Sequence, residues 1–324
     1  MRAFVTGGTG FIGSRLVSAL RDRGDDVVAL VRSPSKADGL RAIGCDLVAG
    51  DLTSGGAMRE AMRGCDVVFH VAAIYAIGIP ESQRREMLQA NIDGTRTALE
   101  AAVQAGVPRI VYVSTIGVFG NTHGEVVDET YRRNLAEGFL STYDEAKYRA
   151  HELALELIAA GAPIVIAQPG AVYGPHDHSE IGNMIEQTRR GMLPLIPFPQ
   201  MGVNMVYVDD VADGLILVAD RGRIGESYLL SGDDVTIKRV VQETARLAGR
   251  YVPRFTLPTA ALKLAAPAGP VIGPLLGFNP NLREMIATSD GVTVWATDAK
   301  ARAELGFAPR SLEQGLRDTL AHRH

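Results

Sequence analysis

The chain opens on an apolar run, Met1 to Val5, followed by a block of glycines in Thr6-Gly7-Gly8-Thr9-Gly10-Phe11-Ile12-Gly13. Ser14 to Arg23 then carry Leu16, Val17 and Leu20 at helical spacing, so the opening reads strand, glycine turn, helix. Short apolar runs recur at Asp26–Val31, Cys45–Ala49, Asp66–His70, Arg109–Val113 and Pro163–Gln168. Helical stretches separate several of them, notably Arg84–Gly106 and the segment from Tyr143 to about Ala160. A run that is apolar at nearly every position suits a strand buried on both faces, and alternating strands and helices predict an α/β fold with a doubly wound parallel sheet. Farther on come a strand over Asn204–Val208 leading into a helix, a strand over Ser227–Leu230, a helix over Thr236–Gly249, and closing helices over Asp298–Leu305 and Ser311–Leu320. These predict a smaller C-terminal α/β lobe interleaved with the sheet. The main domain is expected over 1–175 with a return segment at about 204–222, and the lobe mostly over 176–324.

Several residues carry candidate chemistry. In the glycine block, Gly7 permits a tight turn, Gly10 lets a pyrophosphate approach the backbone, and Gly13 lets the helix pack on the strand. The N–H groups at the start of that helix favour phosphates, so the block predicts a dinucleotide site. Arg32 follows the second strand, where NAD-binding folds place an acidic residue on the ribose, and Lys36 lies one turn on. Both suit a 2′-phosphate, which favours NADP(H) with NAD still open. Small residues after the fourth strand, Val71-Ala72-Ala73, leave room for a cofactor against the backbone. The fifth strand delivers Ser114 and Thr115 at its C-terminal end, where ligands bind in such sheets. Tyr143 and Lys147 stand at i and i+4 on one helical face. A tyrosine beside a lysine is a general acid whose pKa, ordinarily about 10, the ammonium would lower.

These motifs resemble the extended short-chain dehydrogenase/reductases, the group of sugar-nucleotide epimerases, dehydratases and dihydroflavonol-reductase-like enzymes. The Gly7-x-x-Gly10-x-x-Gly13 spacing, Phe11-Ile12-Gly13 and Tyr143-x-x-x-Lys147 carry the resemblance. It implies a Rossmann domain, with Gly7, Thr9, Gly10, Phe11, Ile12 and Gly13 around the pyrophosphate. It implies Asp51 and Leu52 beside the adenine, although Asp51 is equally placed to cap a helix starting near Gly55. It implies Pro169, Gly170 and Val172 along the nicotinamide and Lys147 on its ribose. Counting back from Val118-Phe119-Gly120, it makes Thr115 the hydroxyl that holds the substrate oxygen, with adjacent Ser114 pointing the other way. It also implies that Asn91, like the family's helix asparagine, supports the active-site backbone.

Composition sets limits. A 46% apolar fraction is ample for a core, and a net charge of −4 gives no reason to propose nucleic acid. Cys45 and Cys65 show no metal spacing, so reduced thiols in a cytoplasm and no metal are expected. His176-Asp177-His178 is read as a polar turn, and His70 as a packed histidine. Met1 leads directly into a strand and leaves no room for a secretory leader. The apolar run Pro258–Phe278 is broken by Lys263 and three prolines, so it is read as a buried or pocket-covering segment, and no membrane partner is expected. Both a monomer and a homodimer stay open.

The departures from the epimerase pattern point to function. Epimerases usually place an Asn where Ala171 stands and Arg-Asp where Val203-Asn204 stand, the Asn and Arg being donors to a substrate pyrophosphate. Without them the leading expectation is an NADPH-dependent reductase of a small aromatic or alicyclic ketone or aldehyde. Walls for it are sought in Met184, Met192, Leu193, Leu195, Ile196, Phe198, Met201 and Met205. The alternatives are an NAD-dependent sugar-nucleotide epimerase or dehydratase, and a silent dinucleotide-binding regulator.

Overall fold

A computed structural model describes residues 1–256, Lys263 and 281–322. Its main layer is a seven-stranded sheet in the order β10-β7-β5-β4-β1-β2-β3, with every pairing parallel. The strands are β1 (Arg2–Thr6), β2 (Asp26–Val31), β3 (Asp46–Ala49), β4 (Val67–His70), β5 (Ile110–Val113), β7 (Ile164–Pro169) and β10 (Ser227–Leu230). The order reverses between β1 and β4, and a crevice opens there at the C-terminal strand ends, the usual ligand position in such sheets.

Helices cover both faces because each sheet face is apolar. Helix α1 (Phe11–Asp22) buries Leu16, Val17 and Leu20 on one face beside Val211, Leu215 and Val218 of α7 (Val208–Arg221). The helix Ala299–Leu305 adds Ala301 and Leu305 to that layer. The opposite face holds Met58 and Met62 of α3 (Gly55–Met62), Leu99 and Ala102 of α4 (Glu81–Gln104), and Leu153 and Ala154 of α5 (Thr142–Ala159). The short helix α2 (Asp38–Ala42) adds Leu40 to the α1 face.

The second lobe has a three-stranded sheet of β8 (Ala171–Tyr173), β9 (Gly202–Tyr207) and β11 (Asp233–Thr236). On it pack α6 (Glu180–Arg190), α8 (Ile237–Leu247) and the last described helix, Leu312–Ala321, through Ile185, Val240, Val241 and Leu316. A small pair, β6 (Val126–Val127) with β12 (Trp295–Ala296), ties the long loop before α5 to the C-terminal region.

Three assignments differ from the sequence expectation. Ser227–Leu230 was placed in the smaller lobe, yet it pairs with β7 as the outer strand of the main sheet, because Tyr228, Leu229 and Leu230 are fully buried and need cover on both faces. The return segment splits: β9 joins the small sheet and α7 alone lies on the main one, so chain order does not follow the lobes. Ala171–Tyr173, where no strand was predicted, is a strand paired with β9. The expected covering segment Pro258–Phe278 lies outside the described residues apart from Lys263.

Candidate active site

The glycine turn fills the crevice between β1 and β4. Gly7 has φ +76°, and a Cβ there would stand 2.8 Å from the Ala72 nitrogen, so Val71 and Ala72 form the facing wall. A Cβ on Gly13 would meet the Gly7 carbonyl oxygen at 2.0 Å, which is how closely α1 sits on the turn. Thr9 and Gly10 are exposed, and Gly10 begins α1 without any side-chain cap, leaving first-turn N–H groups for a ligand. Phe11 and Ile12 pack instead into the second lobe's core, so their side chains join the lobes. This bare, uncapped helix start fits a dinucleotide pyrophosphate.

Arg32 and Lys36 are both exposed beyond β2, and no side-chain hydrogen bond or ion pair holds either among the described residues. Asp51 lies at the end of β3 within the electrostatic reach of Arg32. Its carboxylate accepts from the Thr53 backbone at 2.9 Å, from the Thr53 hydroxyl at 2.6 Å and from the Ser54 hydroxyl at 3.3 Å. It therefore orders the turn before α3, while the helix's own N-cap is Ser54. These bonds hold the Asp51 carboxyl below its usual range. Leu52 packs its side chain on Gly94 of α4.

The catalytic candidates converge at the ends of β5 and α5. Ser141 caps α5 and places Tyr143 and Lys147 one turn apart along it. Lys147 is 4% exposed, and its ammonium donates to the Val113 carbonyl at 2.9 Å and lies 5.2 Å from the Tyr112 ring centre. Burial brings its pKa down to about 8. Tyr143 is half-buried, and burial, followed by the charge of Asp144, pushes its phenol above the ordinary value. The expected lowering by Lys147 is not found: the ammonium is directed to the strand carbonyl, and desolvation dominates. Thr115 is half-buried. Its hydroxyl accepts from the Gly117 N–H at 3.1 Å and reaches the Pro169 carbonyl at 3.4 Å. Ser114 bonds His151 at 3.0 Å, because strand alternation turns its hydroxyl toward α5, away from Thr115.

Supporting residues explain the geometry. His70 is buried between the hydroxyls of Thr6 at 2.9 Å and Thr95 at 3.1 Å, and burial lowers its pKa to about 3. Both ends of the Asn91 amide clamp the backbone of Ile74, at 2.7 and 2.8 Å. Gly170 lies against Asn204, whose oxygen would be 2.4 Å from a Cβ there. The Val172 side chain packs between the cores. In the turn His176-Asp177-His178, Asp177 accepts from the backbone and hydroxyl of Ser179.

Four residues carried no signal that the sequence reading used. Buried Arg133 donates to both carboxylate oxygens of Asp144 at 2.6 and 3.1 Å and to the Gly138 carbonyl, fixing the lip beside Tyr143. Glu284, from the helix Leu282–Ser289, accepts the Thr142 N–H at 2.6 Å and so caps α5 from far along the chain. His151 is one turn past Lys147 on the same face, a spacing visible in the sequence. Tyr75 sets its ring against Tyr143, with centres 4.9 Å apart and planes at 82°.

A seven-stranded parallel sheet with a glycine turn at its switch point, and a tyrosine–lysine pair opening the helix after β5, defines the extended short-chain dehydrogenase/reductases. The chain belongs to the NAD-dependent epimerase/dehydratase family, whose model matches residues 3–231. It is 33% identical over 330 residues to a Synechocystis sp. protein that carries a dihydroflavonol 4-reductase name, covering 98% of this chain and 93% of that one. It is 33% identical over 322 residues to a farnesyl-dihydroquinoline-1-oxide ketoreductase of Stigmatella aurantiaca, covering 98% and 95%. Among solved structures, MoeE5 in complex with UDP-glucose and NAD is similar, with a TM-score of 0.76, 28% identity and coverage of 99% and 97%. Among the described residues, no helix is long and apolar enough to cross a membrane.

Proposed function

We propose that this protein is an NADPH-dependent reductase of small organic ketones or aldehydes. The observation that carries the reading is the state of Val203 and Asn204, at the positions where an epimerase places its Arg-Asp pair. Asn204 is 1% exposed. Its amide donates to the Gly232 carbonyl, the Asp234 carboxylate and the Ala296 carbonyl, and its oxygen accepts from the Gly232 N–H. Val203 beside it is buried. Neither side chain is free to hold a charged phosphate, and a dianion without such donors is poorly bound.

The nicotinamide cofactor supplies the hydride. The chain's own residues do the rest. The turn from Gly7 to Gly13 holds the pyrophosphate, and Arg32 with Lys36 takes the 2′-phosphate. Thr115 orients the carbonyl oxygen. Tyr143 hands its phenolic proton to that oxygen as negative charge develops there, a step that general acids speed by roughly 10²–10⁴-fold. Lys147, one turn along α5 with its ammonium on the Val113 carbonyl, would hold the nicotinamide ribose.

The names of the relatives support a ketone or related carbonyl, whereas MoeE5 with its UDP-glucose and NAD supports a sugar-nucleotide reading. The methionine-walled site expected from the sequence gives less help. Met184, Ile196 and Met205 pack in the lobe's own core and Met192 is 67% exposed. Titrating the NADP-loaded protein with UDP-glucose and with aryl ketones separates the two readings. Ketone binding without UDP-glucose binding supports the reductase, and micromolar UDP-glucose binding with ketones inert restores the epimerase.

A further inference from the structure

We infer that Tyr75 is the specificity-determining residue of this site, the face that selects a carbonyl attached to an aromatic ring over one attached to a saturated ring. The inference rests on the carbonyl-reductase reading for the role of the site, and it narrows that reading from aromatic or alicyclic substrates to aromatic ones.

Tyr75 stands in the loop between β4 and α4. Its backbone is anchored although the loop is at the surface, because Asn91 holds both the N–H and the carbonyl of Ile74. Its ring meets Tyr143 in an edge-to-face contact at 4.9 Å, yet Tyr75 keeps 53% of its surface exposed. Its hydroxyl points across the cleft to the carboxylate of Glu180, the first residue of α6 in the second lobe, at 3.4 Å. Tyr75 therefore spans from the acid that must touch the substrate oxygen to the lobe that must cover the substrate. Because this ring lies against the Tyr143 ring, the substituent of a carbonyl held by the Tyr143 hydroxyl would come to lie beside it.

A single exposed aromatic is ordinary and proves nothing. Here the ring is held in place by neighbours on both sides and touches the catalytic phenol. Aromatic pairs favour edge-to-face and offset geometries that a cyclohexyl group cannot reproduce, and they are worth about 2- to 13-fold beyond area burial.

The test compares acetophenone with cyclohexyl methyl ketone, which differ only in ring saturation. Their binding to the NADP⁺-loaded protein is measured by ligand-observed NMR, so no turnover is needed. The parent is expected to prefer acetophenone by about 2- to 13-fold. Tyr75→Phe, which removes only the link to Glu180, should keep that preference, and Tyr75→Leu should abolish it. Failure of either ketone to bind, no preference in the parent, or a preference retained in Tyr75→Leu overturns the inference. Loss of preference in both variants also overturns it, since the ring would then not be the selector. NADPH consumption with the same ketones is followed separately. Preference without consumption would refute the reductase reading and leave Tyr75 as the aryl selector, whereas consumption with an unchanged ratio would do the reverse.

Discussion

Replacing Lys147 with methionine should make the protein more stable and much less active. The ammonium is 4% exposed, and its polar contacts are one carbonyl, that of Val113, and the face of Tyr112. Burial brings its pKa from 10.5 to about 8. At roughly 1.4 kcal/mol per pH unit, keeping the charge inside at pH 7 costs about 3 kcal/mol. Methionine keeps the length of the apolar stem and removes that cost, while the lost hydrogen bond to Val113 takes back about 1 kcal/mol. A net gain of about 2 kcal/mol at pH 7 is expected in denaturant unfolding. The sign of the pH dependence follows from the lowered pKa. Between about pH 8 and 10.5 the unfolded lysine still binds its proton and the folded one does not, so the parent gains stability as pH rises through that window. Below pH 8 both states are charged and the cost is constant. The parent, having trailed Lys147→Met by about 2 kcal/mol at pH 7, should thus cross it between pH 8 and 10.5 and end about 1 kcal/mol more stable. A variant less stable than the parent at pH 7, or two parallel curves from pH 8 to 10.5, would refute the assignment of a strained, buried charge.

Two further outcomes follow from the same geometry. Arg32→Ala should weaken NADPH binding by roughly 10- to 150-fold, the range for one charge-assisted hydrogen bond, and leave NADH nearly unchanged in a fluorescence titration; equal loss for both cofactors would show that Arg32 does not read the phosphate. His70, with its pKa lowered to about 3, stays neutral in the fold while the unfolded chain takes up a proton below about 6.5, so stability falls as pH falls through that window. The parent should lose about 2 kcal/mol from this group between pH 7 and pH 5, and His70→Gln should flatten the unfolding curve there; identical slopes would remove His70 from the account.

What the sequence made legible is what local chemistry dictates. The glycine turn, the buried strands and the tyrosine–lysine spacing are each set within a dozen residues, and each is found where the pattern places it. What was hidden depends on long-range contact. Glu284 caps α5 only because the chain returns there, and Arg133 pairs with Asp144 only because the lip folds back. The order of Ser227–Leu230 in the main sheet is likewise settled by pairing with β7. The methionines were read as walls, but a residue type says nothing about which side of a small sheet it faces, and burial in the lobe's core claimed Met184 and Met205. Ser114 and Thr115 do point apart, as the count back from Val118-Phe119-Gly120 implied, but the His151 partner of Ser114 is set by the packing of α5 on the sheet.

The central claim is that Tyr143 gives the proton to the reduced carbonyl. Tyr143→Phe keeps the ring that packs against Tyr75 and removes only the hydroxyl, so cofactor binding and the unfolding midpoint serve as controls. The decisive measurement is NADPH consumption by parent and variant across a panel of aryl ketones. A loss of roughly 10²–10⁴-fold in kcat/KM with NADPH affinity unchanged is the predicted result. Activity within a few-fold of the parent would contradict it.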